Sequence, residues 1–583
     1  MKTSKKQERL RRERANVRVR WLMGLFVASL VGLLGRAVQL QLLDRDFLVN
    51  QGEVRHVRTE TLSAHRGAVT DRNGELLAMS TPVDSIWVDP STLKGHPEAI
   101  VEVAEKLQMD PERLLRQVSR NAQRQFLWVR RHQSPSEAAV VLGVDAPGLH
   151  SRREYRRFYP AGEVTSHMLG FTNLDDEGLE GLELAFDHWL AGAPGEKRVL
   201  RDSHGRSVED VESVAPAQPG RTLVTSLDLR LQYVAYRALK AAVLEHRAAS
   251  GSVVILDVAS GEVLAMVNQP SYNPNARKKS PGASYRNRAV TDIFEPGSVY
   301  KTMIMAAALE GGRWGPDSIV DTSPGQLEVG GKVIKDSRNL GPISATTVLV
   351  RSSNVGIVRI AQSLEKHELW RVLNRLGFGE LTLSGFPGES AGLLRDHRNW
   401  RDLEQATLSY GYGLSVTPLQ LARAYAVIGN NGVMTPISLL RQDTPPEGQQ
   451  VLSPATAQAL LGMLEEVVQP TGTGWRAAVP GYRIAGKTGT ARKTATGGYA
   501  TDRYVSVFAG VAPVSAPQLA VVVMVDDPRA GQYYGGEVAA PVFSEIVSDA
   551  MRLLAVTPDD PTMMARAATR PDTAGEQRVE VVP

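Results

Sequence analysis

A serine and a lysine three residues apart, Ser298 and Lys301, form the pair in this sequence best suited to covalent chemistry. Pro296 and Gly297 precede or flank the serine, and the run Met303–Leu309 is apolar and rich in alanine. This pattern predicts that Ser298 lies in the first turn of a helix. Residues at i and i+3 share one helix face, which brings the Lys301 amine within reach of the Ser298 hydroxyl. Such a pair is a nucleophile beside its base.

The spacing alone is weak evidence. Ser91 and Lys94 have the same spacing, and we interpret them as an accidental match because no helical pattern follows. A four-residue pattern with two free positions arises by chance roughly once or twice in a chain of this length. The surrounding sequence therefore has to show which of the two serine–lysine pairs is functional.

Two further polar motifs follow the serine–lysine pair, in the order Ser352-Ser-Asn354 and Lys487-Thr-Gly-Thr490. Ser337-Arg-Asn339 and Ser271-Tyr-Asn273 match the first of these equally well, and only the order along the chain selects Ser352. The Lys-Thr-Gly-Thr motif is much rarer by chance.

The elements around these motifs predict an α+β domain. Two pairs of apolar stretches have the length and composition of buried antiparallel strands, and helical patterns lie between the two pairs. We therefore expect an antiparallel sheet sandwiched by helices. The predicted elements are the strands Ser252–Asp257, Val263–Val267, Tyr504–Gly510 and Leu519–Val525, a helix capped by Ser226, and the helix Pro418–Ile428.

Composition limits the classes of protein and of site. The chain has 583 residues and no cysteine, which excludes structural disulfides and thiolate metal sites. Met1–Arg20 carries more positive charge than the net +4 of the whole chain, so the remainder is slightly acidic. The basic pI is therefore no indication of nucleic-acid binding. The histidines show no metal-ligand spacing, and we expect no metal and no cofactor.

An apolar run beside the basic segment predicts a single membrane helix. Trp21–Gly35 is free of charged residues, and the helix can continue to Leu43 if the Arg36 side chain extends towards the interface. Positive charge before the span places the N-terminus in the cytoplasm and the rest of the chain in the periplasm. The alternative is a signal peptide cleaved at Gly35-Arg-Ala37. Both interpretations export the body of the protein.

Turn signals and charged stretches divide the exported body. Arg66–Gly74, Arg156–Gly162 and Glu180–Glu183 are interpreted as structural turns and ion-pair anchors. Ala215–Gly220 is rich in proline and glycine and marks a domain boundary. The predicted segments are a cytoplasmic basic tail (1–20), a transmembrane helix (21–43), an elongated mixed α/β pedestal domain (44–220), a catalytic domain (221–557) and a disordered tail (558–583).

Taken in order, the three motifs resemble the active-site motifs of penicillin-binding proteins and serine β-lactamases. The charged stretches of the exported body look like the pedestal motifs of class B penicillin-binding proteins. Thr302 departs from the family, which usually has proline after the motif lysine, and this puts helix geometry in question more than chemistry. Three further stretches are similar to the transpeptidase domain of the division-specific members: Asn268–Asn275, Arg286–Val290 and Tyr410–Gln420.

The resemblance implies a β-lactamase-like transpeptidase domain and acyl transfer at a D-Ala-D-Ala stem peptide. Ser298 would be the nucleophile and Lys301 its base, with the cation Lys487 and desolvation lowering the pKa of Lys301. Ser352 would relay a proton to the leaving D-alanine. Asn354 would hold the substrate backbone and Lys301 in place.

The third motif implies a strand that binds substrate. Lys487 and Gly489 share one face of that strand, with Thr488 on the other. Glycine at 489 leaves room for a peptide to lie along the strand edge, and Thr490 and Lys487 would bind the substrate carboxylate. The backbone N–H groups of Ser298 and Thr490 would form the oxyanion hole.

The resemblance implies a septal peptidoglycan D,D-transpeptidase that is inhibited by β-lactam antibiotics, and the architecture favours a transpeptidase over the related classes. A β-lactamase needs neither a membrane anchor nor a long exported region before its catalytic domain, and a penicillin-sensing receptor would have several spans. We see no glycosyltransferase-sized domain, so glycan polymerisation is expected of a membrane partner in the division machinery. The alternatives are an elongation-type or specialised paralogue, a non-catalytic division scaffold, and a carboxypeptidase or β-lactamase.

Overall fold

A computed structural model describes residues 2–45, 57–201, 207–279, 282–495 and 497–560. The chain forms two compact units, and each is made of segments that alternate along the sequence. The predicted limits at 44, 220 and 557 divide the sequence rather than these units, and they stay a prediction. The first unit comprises Met1–Ala64, Pro82–Glu154 and Ala193–Gln218, and the second comprises His65–Thr81, Tyr155–Gly192 and Pro219–Pro583.

The N-terminal segment forms one helix, Lys2–Val38, which ends in a π-helical turn, Gln39–Leu43. Asn16–Leu43 is long and apolar enough to span a membrane, judged by length and composition. The prediction of an apolar helix over 21–43 is confirmed. The helix also includes the basic residues before the span, because lysine and arginine are good helix formers.

The body of the first unit combines short helices with two small groups of strands. Val57–Leu62, Gly195–Arg201 and Ser207–Ala215 form a three-stranded antiparallel sheet. A separate core holds the buried faces of the helices Pro97–Lys106 and Pro111–Arg120. The unit also contains the helices Pro90–Leu93 and Pro135–Leu142 and the strand Leu127–Gln133. The residues of two further strands, Leu76–Val88 and Leu149–Phe158, are divided between the two units.

The second unit is built on a five-stranded antiparallel sheet. In chain order the strands are β1 (Ser250–Asp257), β2 (Val263–Gln269), β3 (Ala485–Ala495), β4 (Gly498–Ala512) and β5 (Leu519–Asp526). Their order in the sheet is β2-β1-β5-β4-β3, so β3 is an edge strand. Both predicted strand pairs are confirmed, and the pairing of β1 with β5 joins them.

Helices cover both faces of this sheet. Val253 and Ile255 of β1 belong to one hydrophobic core, and Val254 and Leu256 belong to the other. This two-residue alternation is expected of a strand with both faces buried, and the predicted sandwich is confirmed. The helices are α1 (Leu229–Glu245) and α6 (Gly535–Leu553) on the first core, and α2 (Lys301–Glu310), α3 (Asn354–Gln362), α4 (Pro418–Gly429) and α5 (Pro454–Val468) on the second.

Shorter elements complete the second unit. Its further helices are Ser166–Leu169, Gly181–Ala185, Asp187–Leu190, Arg288–Thr291, Ala345–Val350, Lys366–Arg375 and Asp402–Ser409. Its further strands are Val69–Thr70, Phe171–Thr172, Gly178–Glu180, Leu223–Val224, Ile319–Asp321, Gln326–Val329, Lys332–Lys335, Pro342–Ser344, Val433–Met434 and Gln449–Gln450. Gln326–Val329 and Lys332–Lys335 pair as an antiparallel hairpin.

The start of α1 differs from the sequence prediction. Asp228, not Ser226, caps the helix, and its carboxylate accepts the Arg230 N–H at 3.0 Å. The Ser226 hydroxyl instead donates to the carbonyl oxygens of Val263 at 2.8 Å and Ser438 at 3.1 Å. The Ser226 side chain, which the local pattern predicts as the helix cap, therefore makes tertiary hydrogen bonds instead.

Hydrogen bonds continue past the predicted end of the catalytic domain at 557. The Asp559 carboxylate accepts the backbone N–H groups of Arg483 at 2.7 Å and Ser515 at 3.1 Å. The predicted disordered tail lies otherwise outside the described residues, from 561 to 583.

The charged stretches of the exported body meet in a buried ion cluster in the second unit. The Glu183 carboxylate accepts from Arg66 Nε at 2.8 Å and from Arg157 Nε at 2.6 Å. Arg66 also forms an ion pair with Asp187. The side chains of Arg66, Arg157 and Glu183 are almost fully buried. The interpretation of these stretches as ion-pair anchors is confirmed.

We predict that Glu183→Ala lowers the free energy of unfolding by about 3–5 kcal/mol, because it removes the ion-pair partner of the buried Arg157 and leaves Arg66 with Asp187 alone. Glu545→Ala is the matched control, since Glu545 pairs with Arg237 where both side chains are about half exposed. The control is expected to change the free energy by less than about 1 kcal/mol. Chemical denaturation followed by circular dichroism measures both, and equal effects would contradict the prediction.

Candidate active site

Ser298 lies in a short 3-10 helix, Gly297–Tyr300, that leads directly into α2. The prediction that it lies at the start of a helix is confirmed. Gly297 has a φ of +57°, and a Cβ at this position would lie 2.9 Å from the Thr490 carbonyl oxygen. Glycine therefore allows both the turn before the serine and its close contact with β3.

The Lys301 side chain is completely buried. Its Nζ donates to Asn354 Oδ1 at 2.6 Å, to Ser352 Oγ at 3.2 Å, and to the Ser352 carbonyl oxygen. The first two motifs of the sequence are thus in direct contact through the lysine amine. These hydrogen bonds also distinguish Ser352 from the other serines that match the same pattern.

The turn that carries Ser352 has an unusual backbone. Ser352 has a φ of +56°, in the left-handed region that residues other than glycine rarely adopt. The next residue, Ser353, caps α3 by accepting the Gly356 N–H at 2.8 Å. Non-glycine residues in this region persist only where the surroundings hold them, and such sites are often functional.

Asp336 holds this turn, and no sequence pattern marks it. Its carboxylate accepts the N–H groups of Asn354 at 2.5 Å and Val355 at 3.1 Å, and the Ser353 hydroxyl at 2.5 Å. Asp336 directly follows the strand Lys332–Lys335, so the helix that it caps is distant in sequence. An acidic residue is recognisable as a cap in a sequence only when it directly precedes its helix.

The third motif lies on the edge strand β3. Lys487 is completely buried, and its Nζ donates to the Thr488 carbonyl oxygen at 3.2 Å. Thr488 Oγ1 donates to Thr473 Oγ1 at 3.0 Å, and Thr490 Oγ1 accepts the Gly535 N–H at 2.9 Å. Neither Thr473 nor Gly535 belongs to a motif that the sequence indicated. Lys487, Thr488, Gly489 and Thr490 lie opposite Ala509, Phe508, Val507 and Ser506 of β4.

Gly489 allows a close contact between β3 and the turn that carries Ser298. A Cβ at Gly489 would lie 2.8 Å from the Pro296 carbonyl oxygen and 3.0 Å from Val299 Cγ1. The Ser298 turn therefore packs against β3 where a side chain would lie. A Cβ at Gly411 would likewise lie 2.1 Å from the Gly297 carbonyl oxygen. The turn is therefore held against two glycine backbones.

Burial is the main electrostatic influence on the two lysines. It lowers the pKa of Lys301 from 10.5 to about 7, and the Asp336 carboxylate acts in the opposite direction. Burial also lowers the pKa of Lys487, and repulsion from Lys301 lowers it further. The sequence predicts that desolvation and Lys487 together lower the pKa of Lys301, and desolvation is the cause that lowers it. A lysine with a pKa near 7 can be neutral and accept a proton.

Thr302, where the sequence departs from the family pattern, is buried without disturbing the helix. Its Oγ1 lies 3.0 Å from Tyr425 Oη, and Tyr425 Oη lies 3.1 Å from the Val299 carbonyl oxygen. The helix α2 continues from Lys301 to Glu310. The hydroxyl is accommodated by a partner on α4, and the helix geometry that we questioned is regular.

Two family models match this chain. Residues 251–548 match the penicillin binding protein transpeptidase domain, and residues 61–225 match the penicillin-binding protein dimerisation domain. The first match contains all three motifs, and the second contains the charged stretches of the ion cluster.

Relatives are similar over nearly the whole chain. Peptidoglycan D,D-transpeptidase FtsI of Escherichia coli (strain K12) is 41% identical over 572 residues, which cover 96% of each protein. The probable peptidoglycan D,D-transpeptidase PbpC of Pseudomonas aeruginosa is 41% identical over 548 residues, covering 94% of this chain and 97% of PbpC. Penicillin binding protein 3 from Mycobacterium tuberculosis, solved in complex with aztreonam, has 30% identity and a TM-score of 0.67, covering 86% of this chain and 99% of that one. This chain therefore belongs to the penicillin-binding protein family and has both a transpeptidase domain and a dimerisation domain.

Proposed function

We propose that this protein is a peptidoglycan D,D-transpeptidase that crosslinks stem peptides through an acyl-enzyme on Ser298. The observation that carries the proposal is the buried Lys301 amine, which shares a helix start with Ser298 and is held by Ser352 and Asn354. The names of the FtsI and PbpC relatives support the reaction. The family model supports penicillin as a ligand of the same site.

In the acylation step, Ser298 Oγ attacks the carbonyl carbon between the two terminal D-alanines of a donor stem peptide. Neutral Lys301 takes the hydroxyl proton, and the carbon–nitrogen bond then breaks. Ser352, which lies 3.2 Å from Lys301 Nζ, passes a proton to the departing D-alanine nitrogen. Asn354 keeps the amine oriented through its Oδ1 and contacts the substrate backbone. An amine of a neighbouring stem peptide then attacks the ester and releases Ser298.

The edge strand β3 is the proposed platform for the donor peptide. An edge strand has unpaired backbone groups to which an extended peptide can add as a further strand. Thr490 Oγ1 accepts the Gly535 N–H, which leaves the threonine hydroxyl hydrogen to donate to the terminal carboxylate. Lys487 supplies positive charge for the same group, and Thr488 and Gly489 shape the strand between them.

The oxyanion hole is assigned to the backbone N–H groups of Ser298 and Thr490. A Cβ at Gly297 would lie 2.9 Å from the Thr490 carbonyl oxygen, so the two backbone segments are close together. One such donor typically contributes about 3 kcal/mol to the transition state. A β-lactam would acylate Ser298 in the same way, but its opened ring stays attached and no leaving group departs.

The cellular setting completes the proposal. The apolar helix over Asn16–Leu43 and the FtsI relatives support a membrane-anchored cell-division protein. We place the catalytic domain in the periplasm because the basic segment precedes the span, and at the division septum because the relatives include FtsI. A membrane glycan polymerase and other division proteins are the proposed partners. The pedestal domain over 44–220 and the transpeptidase domain over 221–557 are the proposed functional division of the exported chain.

We predict that brief exposure of the full-length protein in detergent to a penicillin gives a stable adduct on the peptide that contains Ser298. Ser298→Ala removes the nucleophile and is expected to abolish the adduct, as intact-protein and peptide mass spectrometry will show. Ser91→Ala is the matched control, because it alters the accidental serine–lysine pair and should leave the adduct unchanged. Consumption of the drug without an adduct would favour a hydrolase, and an intact drug without an adduct would favour a scaffold.

We also predict that the rate of acylation by penicillin falls as the pH drops below about 7. Acylation needs neutral Lys301, and its pKa of about 7 means that protonation removes the base below that pH. Stopped-flow or quenched mass spectrometry across pH measures the rate, which should fall about tenfold for each pH unit below the limb. Lys301→Arg, whose guanidinium stays protonated, should abolish acylation at every pH. A rate that stays constant from about pH 5 to 9 would exclude Lys301 as the base.

A further inference from the structure

Asp336 occupies a position that links a surface hairpin to the buried lysine. It directly follows the strand Lys332–Lys335, and its carboxylate accepts three hydrogen bonds from the first turn of α3. Two of these come from the backbone N–H groups of Asn354 and Val355, and the third comes from the Ser353 hydroxyl. A carboxylate at this end of a helix also interacts favourably with the helix dipole.

These contacts fix the turn that faces Lys301. Ser352 is in the left-handed region, so its orientation depends on how the residues after it are anchored. Asn354 is anchored twice, since its backbone N–H donates to Asp336 and its Nδ2 donates to the Lys335 carbonyl oxygen at 3.2 Å. The second bond turns the amide so that Oδ1 points to Lys301 Nζ, which lies 2.6 Å away.

We propose that Asp336 is a positioning residue for the acyl transfer, holding Ser352 and Asn354 against the Lys301 amine through the first turn of α3. The inference rests on the proposed function, because it assigns Asp336 a part in the same reaction. Asp336 has no contact with Ser298 among the hydrogen bonds of the described residues, and it acts through the side chains that touch Lys301.

The charge of Asp336 should affect the pH dependence of acylation, which a purely structural residue would not change. Two charged groups act electrostatically around the Lys301 amine: Asp336 after the hairpin and Lys487 on β3. The groups that α3 and its preceding turn present to the amine, Ser352 and Asn354, are neutral. Asp336 raises the pKa of Lys301 against the effect of burial. Removing its charge therefore moves the acidic limb of the acylation profile to lower pH.

The test is the second-order rate of adduct formation with benzylpenicillin, measured on the full-length protein in detergent across pH. Asp336→Asn keeps the shape of the side chain and removes its charge. We expect a fall of about 10- to 100-fold in the rate above pH 8, the size that a small misplacement of catalytic groups produces. We also expect the acidic limb to move to lower pH, with the adduct still on Ser298.

Ser353→Ala and Asp321→Asn complete the design. Ser353→Ala removes one bond to Asp336 but keeps its charge, so the rate should fall while the acidic limb stays in place. Asp321 is a matched exposed aspartate, whose carboxylate accepts the Ser323 N–H in a surface turn, and Asp321→Asn should change neither. If Asp336→Asn does not fold, the rate of adduct formation by Ser353→Ala tests the positioning role.

A wild-type rate in Asp336→Asn or in Ser353→Ala would overturn the positioning role. A reduced rate in Asp336→Asn with an unmoved acidic limb would also overturn it, since that result describes a general loss of structure. Failure of the proposed function looks different: the wild-type protein itself would form no adduct on Ser298, or Ser298→Ala would still form one.

Discussion

The burial of one amine, that of Lys301, sets the conditions for the rest of this site. An ammonium group without solvent is costly, so the protein surrounds Nζ with oxygen acceptors from a second segment of chain. The same burial lowers the pKa to about 7, where a neutral amine is readily available. Lys487 is equally buried, and electrostatic repulsion between the two lysines disfavours the state in which both are protonated.

Close backbone contacts, rather than side chains, position Ser298, the proposed nucleophile. Glycines at 297, 411 and 489 bring the serine turn, a loop and the edge strand β3 within contact distance of one another. Any side chain at these positions would push the segments apart. The turn that carries Ser352 is instead held by hydrogen bonds that Ser353 and Asn354 donate to the Asp336 carboxylate. Close backbone packing thus positions Ser298, and hydrogen bonds position Ser352.

Local patterns predicted the parts of this protein that depend on local chemistry. The spacing of Ser298 and Lys301, the strand alternation of the central sheet and the apolar N-terminal helix are all present as the sequence indicated. The remainder depends on contacts between distant segments. Asp336 bonds to the first turn of a helix that it does not directly precede, and the Ser226 hydroxyl bonds to Val263 and Ser438 instead of capping α1. The contact of Gly489 with Pro296 and Val299 is a third example, because no sequence pattern shows that these residues meet.

The discontinuous second unit has a consequence for the synthesis of the protein. The segment His65–Thr81 emerges early but finds its partners much later in the chain: Asp71 accepts the Leu229 N–H at 3.1 Å, and the Arg72 carbonyl oxygen accepts from Arg441. Contacts of such long sequence separation form slowly, because the intervening chain must be ordered first. Arg66 can meet Glu183 early, but the contacts of Asp71 and Arg72 have to wait until Leu229 and Arg441 have been synthesised. This part of the fold is therefore completed late in translation.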